Sequence, residues 1–411
     1  MAAAIYTHTL ANGLAVLVEE MQHVRSAAFN FLIPAGCVYD PKDQLGLANV
    51  LSDLITRGAG SRSSQELTLA LDDLGLDRDE SSGTLHLRIW GSTLAKNLIP
   101  ALRLYADILR RPLLLEHELA PVQDLALLEL EGLEDEPKQK VMVEVKKRHF
   151  PPPLGRDRRG TEAGIQNVTI DAVRQFHRLN VQPRQAILSI AGNVEWKAVL
   201  DTVTELFGDW EPQTKPAFAL EAELPRRGHL EKDTKQTQIG IAYDSVPITH
   251  PHYYEAIAAV NVLSGGMSSR LFTEVRERRG LCYSVWASYQ TLHDRACIIG
   301  YAGTTNERAQ ETLEVLLQVI NELQQGVTDD EVQRMKAGLK SSLIMQEEST
   351  SARAGSMASD WYFLQRIRSF DEIQAAIDSL NAHRIVEHVR AYPVKNLTLV
   401  TLGPKPLTIP G

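Results

Sequence analysis

Two landmarks of this chain recur at almost the same distance. Gly192, closing the apolar run AILSIAG, is matched by Gly403, closing LTLVTLG, 211 residues later. Glu118, Glu134 and Asp135 are matched by Glu331, Glu347 and Glu348 at an offset of 213. Nearly equal offsets at a strand-like and a helical landmark point to an internal duplication. That limits the fold strongly, because whatever one half folds into, the other must repeat. A chain of 411 residues exceeds the size at which a single core stops growing, and its 44% hydrophobic content is ample for two. Residues 1–209 are therefore expected to form one domain and 233–411 the other, joined by the Pro- and charge-rich linker 210–232.

In the first half, extended runs at 13–20 (GLAVLVEE) and 26–36 (SAAFNFLIPAG) precede a helical pattern at 44–57. A second helix is predicted over 64–74, opened by Ser63 or Ser64 with Glu66 close behind, an N-cap signal. A strand at 84–91, a helix at 94–110, a long helix at 116–147, a helix at 170–179 and a strand at 185–194 follow. The second half repeats the plan: strand 237–243, helices 251–263 and 268–278, strands 283–290 and 295–302, and long helices 305–325 and 328–348. Strands followed by packed helices define an α+β class.

Composition removes several functions. The net charge is −9 with both signs interspersed, and no basic run stands out beyond Arg276 to Arg279 and Lys146 to Arg148, so no nucleic-acid surface is expected. No stretch reaches the ~18 apolar residues of a membrane span, and MAAAIYTHTLANGL lacks the basic-then-apolar plan of an export signal. Three cysteines, Cys37, Cys282 and Cys297, have no ligand spacing and suit a reducing compartment. A cytoplasmic protein without a membrane partner is expected.

The segment GLANVLSDLITRGAG (46–60) has the outline of a metal-site helix without its ligands. Such a helix sets two histidines four residues apart on one face, with a carboxylate beside them as base. Here the candidate positions are Asn49, Ser52 and Asp53. An amide oxygen is a poor zinc ligand, a serine hydroxyl is too weak a base, and one aspartate cannot hold a catalytic metal alone. What remains is packing: Leu47, Val50, Leu51, Leu54 and Ile55 recur at i, i+3, i+4, i+7 and i+8 as a core-facing stripe. Two histidine-rich fragments do not compensate. In HRIVEH (383–388) the histidines are five apart and diverge by about 140° on a helix, and Pro251 interrupts HPH (250–252).

In RERRGLCY, Arg276 and Tyr283 stand seven residues apart, with Gly280 breaking the helix so that the chain turns into a strand. An arginine fork and a phenol hydroxyl can together hydrogen-bond a peptide carbonyl and support negative charge on it. Taken by residue chemistry alone, the same pair also reads as a solvated arginine and a strand aromatic.

Together, AGCVYDPKDQLGLANVLSDLITRGAG (35–60) and LSGGMSSRLFTEVRERRGLCYSVWASY (263–289) resemble the insulinase/pitrilysin family of inverted-motif zinc peptidases. That family includes the mitochondrial processing peptidases, and the resemblance covers essentially the whole chain. It implies two homologous α/β-sandwich domains forming a clamshell. The family's H-x-x-E-H falls on 49–53, so that Asn49, Ser52 and Asp53 replace two ligands and the base, and its third ligand falls at or beside Glu129. It further implies that Arg276 and Tyr283 reach the peptide held at a zinc. In two-chain members one chain carries the zinc motif and the other the Arg/Tyr pair. This chain is similar to the second kind, of which the alpha subunit of the processing peptidase is one.

The resemblance thus implies a substrate-binding subunit that holds no metal of its own, with zinc on a partner that bears H-x-x-E-H. A proteolytically inactive scaffold and a peptide-binding homodimer with the same fold are the alternatives.

Overall fold

The computed structural model describes residues 4–214 and 217–409; Lys215 and Pro216 of the expected linker, and the extreme ends, lie outside the described residues. The strands are β1 (Ala4–Thr9), β2 (Ala15–Glu20), β3 (Ser26–Ile33), β4 (Asp77–Ser82), β5 (Leu87–Leu94), β6 (Ile187–Gly192), β7 (Arg227–Glu231), β8 (Gln236–Ser245), β9 (Cys282–Leu292), β10 (Arg295–Thr305) and β11 (Thr398–Gly403). The helices are α1 (Leu47–Leu54), α2 (Ser64–Asp72), α3 (Leu98–Arg110), α4 (Glu116–Glu134), α5 (Pro137–His149), α6 (Glu162–Gln166), α7 (Ile170–Asn180) and α8 (Trp196–Phe207). They continue with α9 (Tyr253–Ser264), α10 (Ala309–Glu322), α11 (Asp329–Glu347), α12 (Thr350–Leu364), α13 (Phe370–Ser379) and α14 (Ala382–Ala391). The class is α+β, as the sequence indicates.

Two compact units emerge, but their boundaries differ from the contiguous halves. Unit 1 comprises 1–132, 156–219 and 345–367; unit 2 comprises 133–155, 220–344 and 368–411. The halves have exchanged segments 133–155 and 345–367. The helix expected over 116–147 is two helices, because Pro137 cannot continue α4 and instead takes the first position of α5. At that break the chain passes from unit 1 to unit 2.

The sheet of unit 1 has the order β1-β2-β6-β3-β5-β4, with only β2 and β6 parallel. The sheet of unit 2 runs β7-β11-β8-β10-β9, with only β7 and β11 parallel. The second order reproduces the first without β1. Strand β7 lies inside the stretch expected to be a linker, where its five residues pair with β11 rather than spanning open space.

Each sheet is covered on one face by an exchanged helix. Against β2, β3 and β6, α12 buries Ala354, Met357 and Ala358 in a cluster with Leu17, Ala28 and Ala191. Small residues let this helix approach the strands closely. Helix α5 buries Val141, Val145 and His149 against β8 and β11, and Gly240 leaves room there: an added Cβ would stand 2.6 Å from the Val145 methyl. The main core of unit 1 gathers Val50, Leu51 and Leu54 of α1 with Phe29 and Phe31 of β3. The apolar stripe expected of α1 is therefore where the sequence puts it.

Candidate functional site

Helix α1 is started by a buried aspartate rather than by a capping residue of its own. Asp40 accepts from the Gly46 amide at 2.8 Å and from the Ala48 amide at 2.9 Å, pairing two of the helix's free donors. Burial pushes its carboxyl up to about 7, against the pull of those two bonds and of Arg156. Ser52 is also buried, and its hydroxyl donates to the Asn49 carbonyl at 2.7 Å, turned back on its own helix. Its hydroxyl proton is thus engaged within the helix.

Asn49, Ser52 and Asp53 line one cleft of about 650 Å³ with Glu129 of α4, Arg158 and the edge strand β4. The resemblance implies that these four residues belong to one site, and the structure places them around one cleft. What occupies their polar atoms is protein. Asn49 Nδ2 donates to Glu129 Oε2 at 3.4 Å, and Arg158 Nη2 donates to Glu129 Oε1 at 3.2 Å. Asp53 accepts from Arg57 Nε at 2.6 Å, while Arg57 Nη1 reaches Glu118 at 3.0 Å. Guanidinium groups thus satisfy both carboxylates, and the donor set of one amide, one hydroxyl and two paired carboxylates does not fit zinc. Among the described residues no group of three or more His, Cys, Asp or Glu could hold a metal.

The histidines set aside in the sequence do approach one another in unit 2. The ring centres of His250 and His252 are 5.5 Å apart and those of His252 and His388 6.1 Å. His250 is already bonded by the His252 amide at 3.1 Å and lies 3.2 Å from the Tyr392 hydroxyl, so its two nitrogens are taken. His250 therefore has no nitrogen left for a metal, and the three histidines form no metal-holding group among the described residues.

In unit 2 the expected helix 268–278 is, over Phe272–Arg278, a π-helix, a form concentrated at functional sites. The Arg276 guanidinium lies 4.7 Å from the Phe272 ring centre and 4.5 Å from that of Tyr283, over both rings. Tyr283 is 80% exposed, so it is no core aromatic. Gly280 takes φ +58°, the left-handed turn its helix-breaking role requires, and its carbonyl accepts from Arg308 at 2.6 Å. The pair is therefore stacked in advance, with the phenol hydroxyl of β9 open to solvent.

Comparison with known proteins agrees with this architecture. Residues 15–162 match the family model described as insulinase (peptidase family M16), and residues 167–339 match that of the peptidase M16 inactive domain. The chain belongs to the insulinase family. An uncharacterized zinc protease of Bacillus subtilis is 26% identical over 408 residues, covering 97% of this chain and 98% of that protein. One of Rickettsia felis is 24% identical over 400 residues, covering 97% of each. Among solved structures, the peptidase M16 inactive domain from Pseudomonas fluorescens superposes with a TM-score of 0.89 at 20% identity, covering 99% of both chains. A protease from Helicobacter pylori gives 0.88 at 21%, covering 98% of this chain and all of that one.

Within the insulinase fold, the duplication also identifies residues that motif reading passed over. Arg57 and Glu118 recur 213 positions on as Arg270 and Glu331, and Arg270 grips Glu331 with two bonds at 2.6 and 2.8 Å. The same arginine–glutamate bolt ties the chain after the first helix to the start of the long helix in both units. NVLS at 49–52 is likewise repeated at 261–264. Carrying the offset on to the arginines would have found Arg57. Nothing short of the folded loop points to Arg158. No described helix is long and apolar enough to cross a membrane.

Proposed function

We propose that this insulinase-family chain is the metal-free, peptide-holding subunit of a heteromeric zinc peptidase, working in the cytoplasm and lending Arg276 and Tyr283 to a zinc site on an H-x-x-E-H partner. The observation that carries the reading is a contrast. At the zinc-motif positions the two carboxylates, Asp53 and Glu129, are held by arginines, whereas Arg276 stacks on the Phe272 and Tyr283 rings and Tyr283 stays exposed. A peptide carbonyl gaining negative charge would meet a guanidinium whose ordering cost is already met by Phe272 and Tyr283. The names of the relatives, zinc proteases over their whole lengths, supply the reaction class.

Peptide holding has its own support in unit 1. Strand β4 is a sheet edge, paired only with β5, and its residues 79–82 line the cleft, so its free backbone groups can add one extended strand.

The test is co-purification from native cells followed by peptide cleavage in the assembled complex. The chain alone is expected to carry no stoichiometric zinc by elemental analysis and to cleave nothing. In the complex, Tyr283→Phe and Arg276→Ala should each lower kcat by about 10²–10³, as for loss of one oxyanion donor, with assembly intact. Tyr283→Phe is the cleaner variant because the ring that stacks on Arg276 remains. Unchanged kcat in both variants would leave the scaffold as the better reading, and peptide binding by the chain alone, with no zinc-bearing partner found, would favour the homodimer.

A further inference from the structure

The cleft in unit 1 differs from a metal site in more than its missing histidines, because a cation of the chain itself lines it. Loop 155–160, GRDRRG, carries three arginines, and the two that flank Arg158 fasten the loop. Arg156 Nη1 donates to the Asp40 carbonyl at 2.7 Å, and Arg159 Nε donates to Asp157 Oδ1 at 3.0 Å. Just beyond, the Thr161 amide donates to the Leu45 carbonyl at 3.2 Å. Gly160, at φ +84°, runs so close beneath the turn into α1 that an added Cβ would stand 2.1 Å from the Leu45 carbonyl oxygen. The loop is therefore clamped, on both sides of Arg158, to the backbone that begins the motif helix. From that clamp Arg158 reaches into the cleft and onto Glu129, whose second oxygen is taken by Asn49.

We infer that Arg158 is a built-in cation standing in for a metal's charge: it neutralises Glu129 and weakens metal binding in the cleft even when the lost ligands are supplied. This rests on the reading above that 49, 52, 53 and 129 are the family's base and ligand positions. Arg158 and Glu129 are 46% and 40% exposed, and a free surface pair of that kind contributes little. The clamped loop changes the outcome, because it holds a positive charge where an incoming divalent ion would be repelled as well as deprived of a ligand.

The test compares two variants for zinc binding by equilibrium dialysis, and for cobalt by the visible absorption of a tetrahedral site. The first is Asn49→His, Ser52→Glu and Asp53→His together; the second adds Arg158→Ala. The expected result is that adding Arg158→Ala tightens zinc binding by about tenfold or more and brings out the cobalt bands. Arg158→Gln in place of Arg158→Ala keeps hydrogen-bonding capacity without charge and serves if the alanine variant fails to fold. Equal affinity with and without Arg158, or a folded four-fold variant that takes up no metal at all, overturns the inference. Stoichiometric zinc on the natural chain is a separate outcome, which overturns the proposed function itself.

Discussion

Helix α12, which covers the sheet of unit 1, and helix α5, which covers the sheet of unit 2, hold equivalent places and begin alike. Each carries a base that pairs with an acid six positions earlier, at the end of the preceding helix: Arg353 with Glu347 and Lys140 with Glu134, again 213 residues apart. Their surroundings differ. Arg353 is 2% exposed and also bonds Glu19 of β2, itself 2% exposed, at 2.7 Å. Glu134, by contrast, lies largely in solvent beside Lys140. The duplication preserved the device, and the depth of burial decides what the device is worth. The same holds for the first helices: both units retain the arginine–glutamate bolt, while only unit 1 adds Asp53 to it.

The largest expected effect tests that contrast directly. Arg353→Met leaves Glu19 charged and buried without a partner, which costs about 3–5 kcal/mol, whereas Lys140→Met costs about 1 kcal/mol or less. Denaturant melts of the two variants should differ accordingly. Equal losses would mean that the burial difference is energetically idle.

Next comes acid. Burial pushes His149 and His388 of unit 2 down to about 4 from 6.5, the second helped by the charge of His252. The unfolded chain takes up these protons near 6.5 and the folded chain only near 4. Their stabilising contribution is therefore complete above 6.5 and is lost as pH falls toward 4. At pH 5 each histidine should have cost about 2 kcal/mol. Trp286 is the one tryptophan in unit 2, so its fluorescence during melts at pH 7 and pH 5 reads that unit, and His388→Gln should flatten the dependence.

A smaller effect separates the two bolts. Burial alone would raise Glu331, but the bonds and charge of Arg270 and the Thr328 amide hold it down to about 2. The pair's contribution is present above about 4.5 and lost as pH falls through 2. Arg270→Gln should cost about 2 kcal/mol and Arg57→Gln about 1, since Asp53 is the more exposed partner. A larger loss at Arg57 would make the motif-derived pair with Asp53 the stronger tie.

Much of this was legible in the residues. The stripe Leu47, Val50, Leu51, Leu54 and Ile55 forecast the buried face of α1, and Ser63 with Glu66 forecast the capping box, which forms with Ser63 as the cap. Gly280 forecast the turn between helix and strand. Strand β4 was passed over because DRDESS is charged and lacks β-branched residues; an edge strand tolerates that composition, since one side of its ladder meets no neighbour. Helix α12 is hard to read from sequence for a different reason. In α12 the residues that pack on the sheet, Ala354, Met357 and Ala358, are few and mostly small, so they give a weak apolar period.

The sequence by itself determined that there are two copies of one α+β plan, that 49–53 lack a metal's ligands, and that Arg276 and Tyr283 flank a helix-to-strand turn. These follow from local periodicity, residue chemistry and a nearly constant offset, all of which can be read along the chain without knowing which residues meet in space. Only the tertiary structure decided that segments 133–155 and 345–367 trade units, that Arg276 stacks on the Tyr283 ring, and that Arg158 enters the cleft in unit 1. Each of those is a pairing made through space. An arginine in GRDRRG carries no mark of the carboxylate it will meet until loop, helix and sheet bring Glu129 within reach.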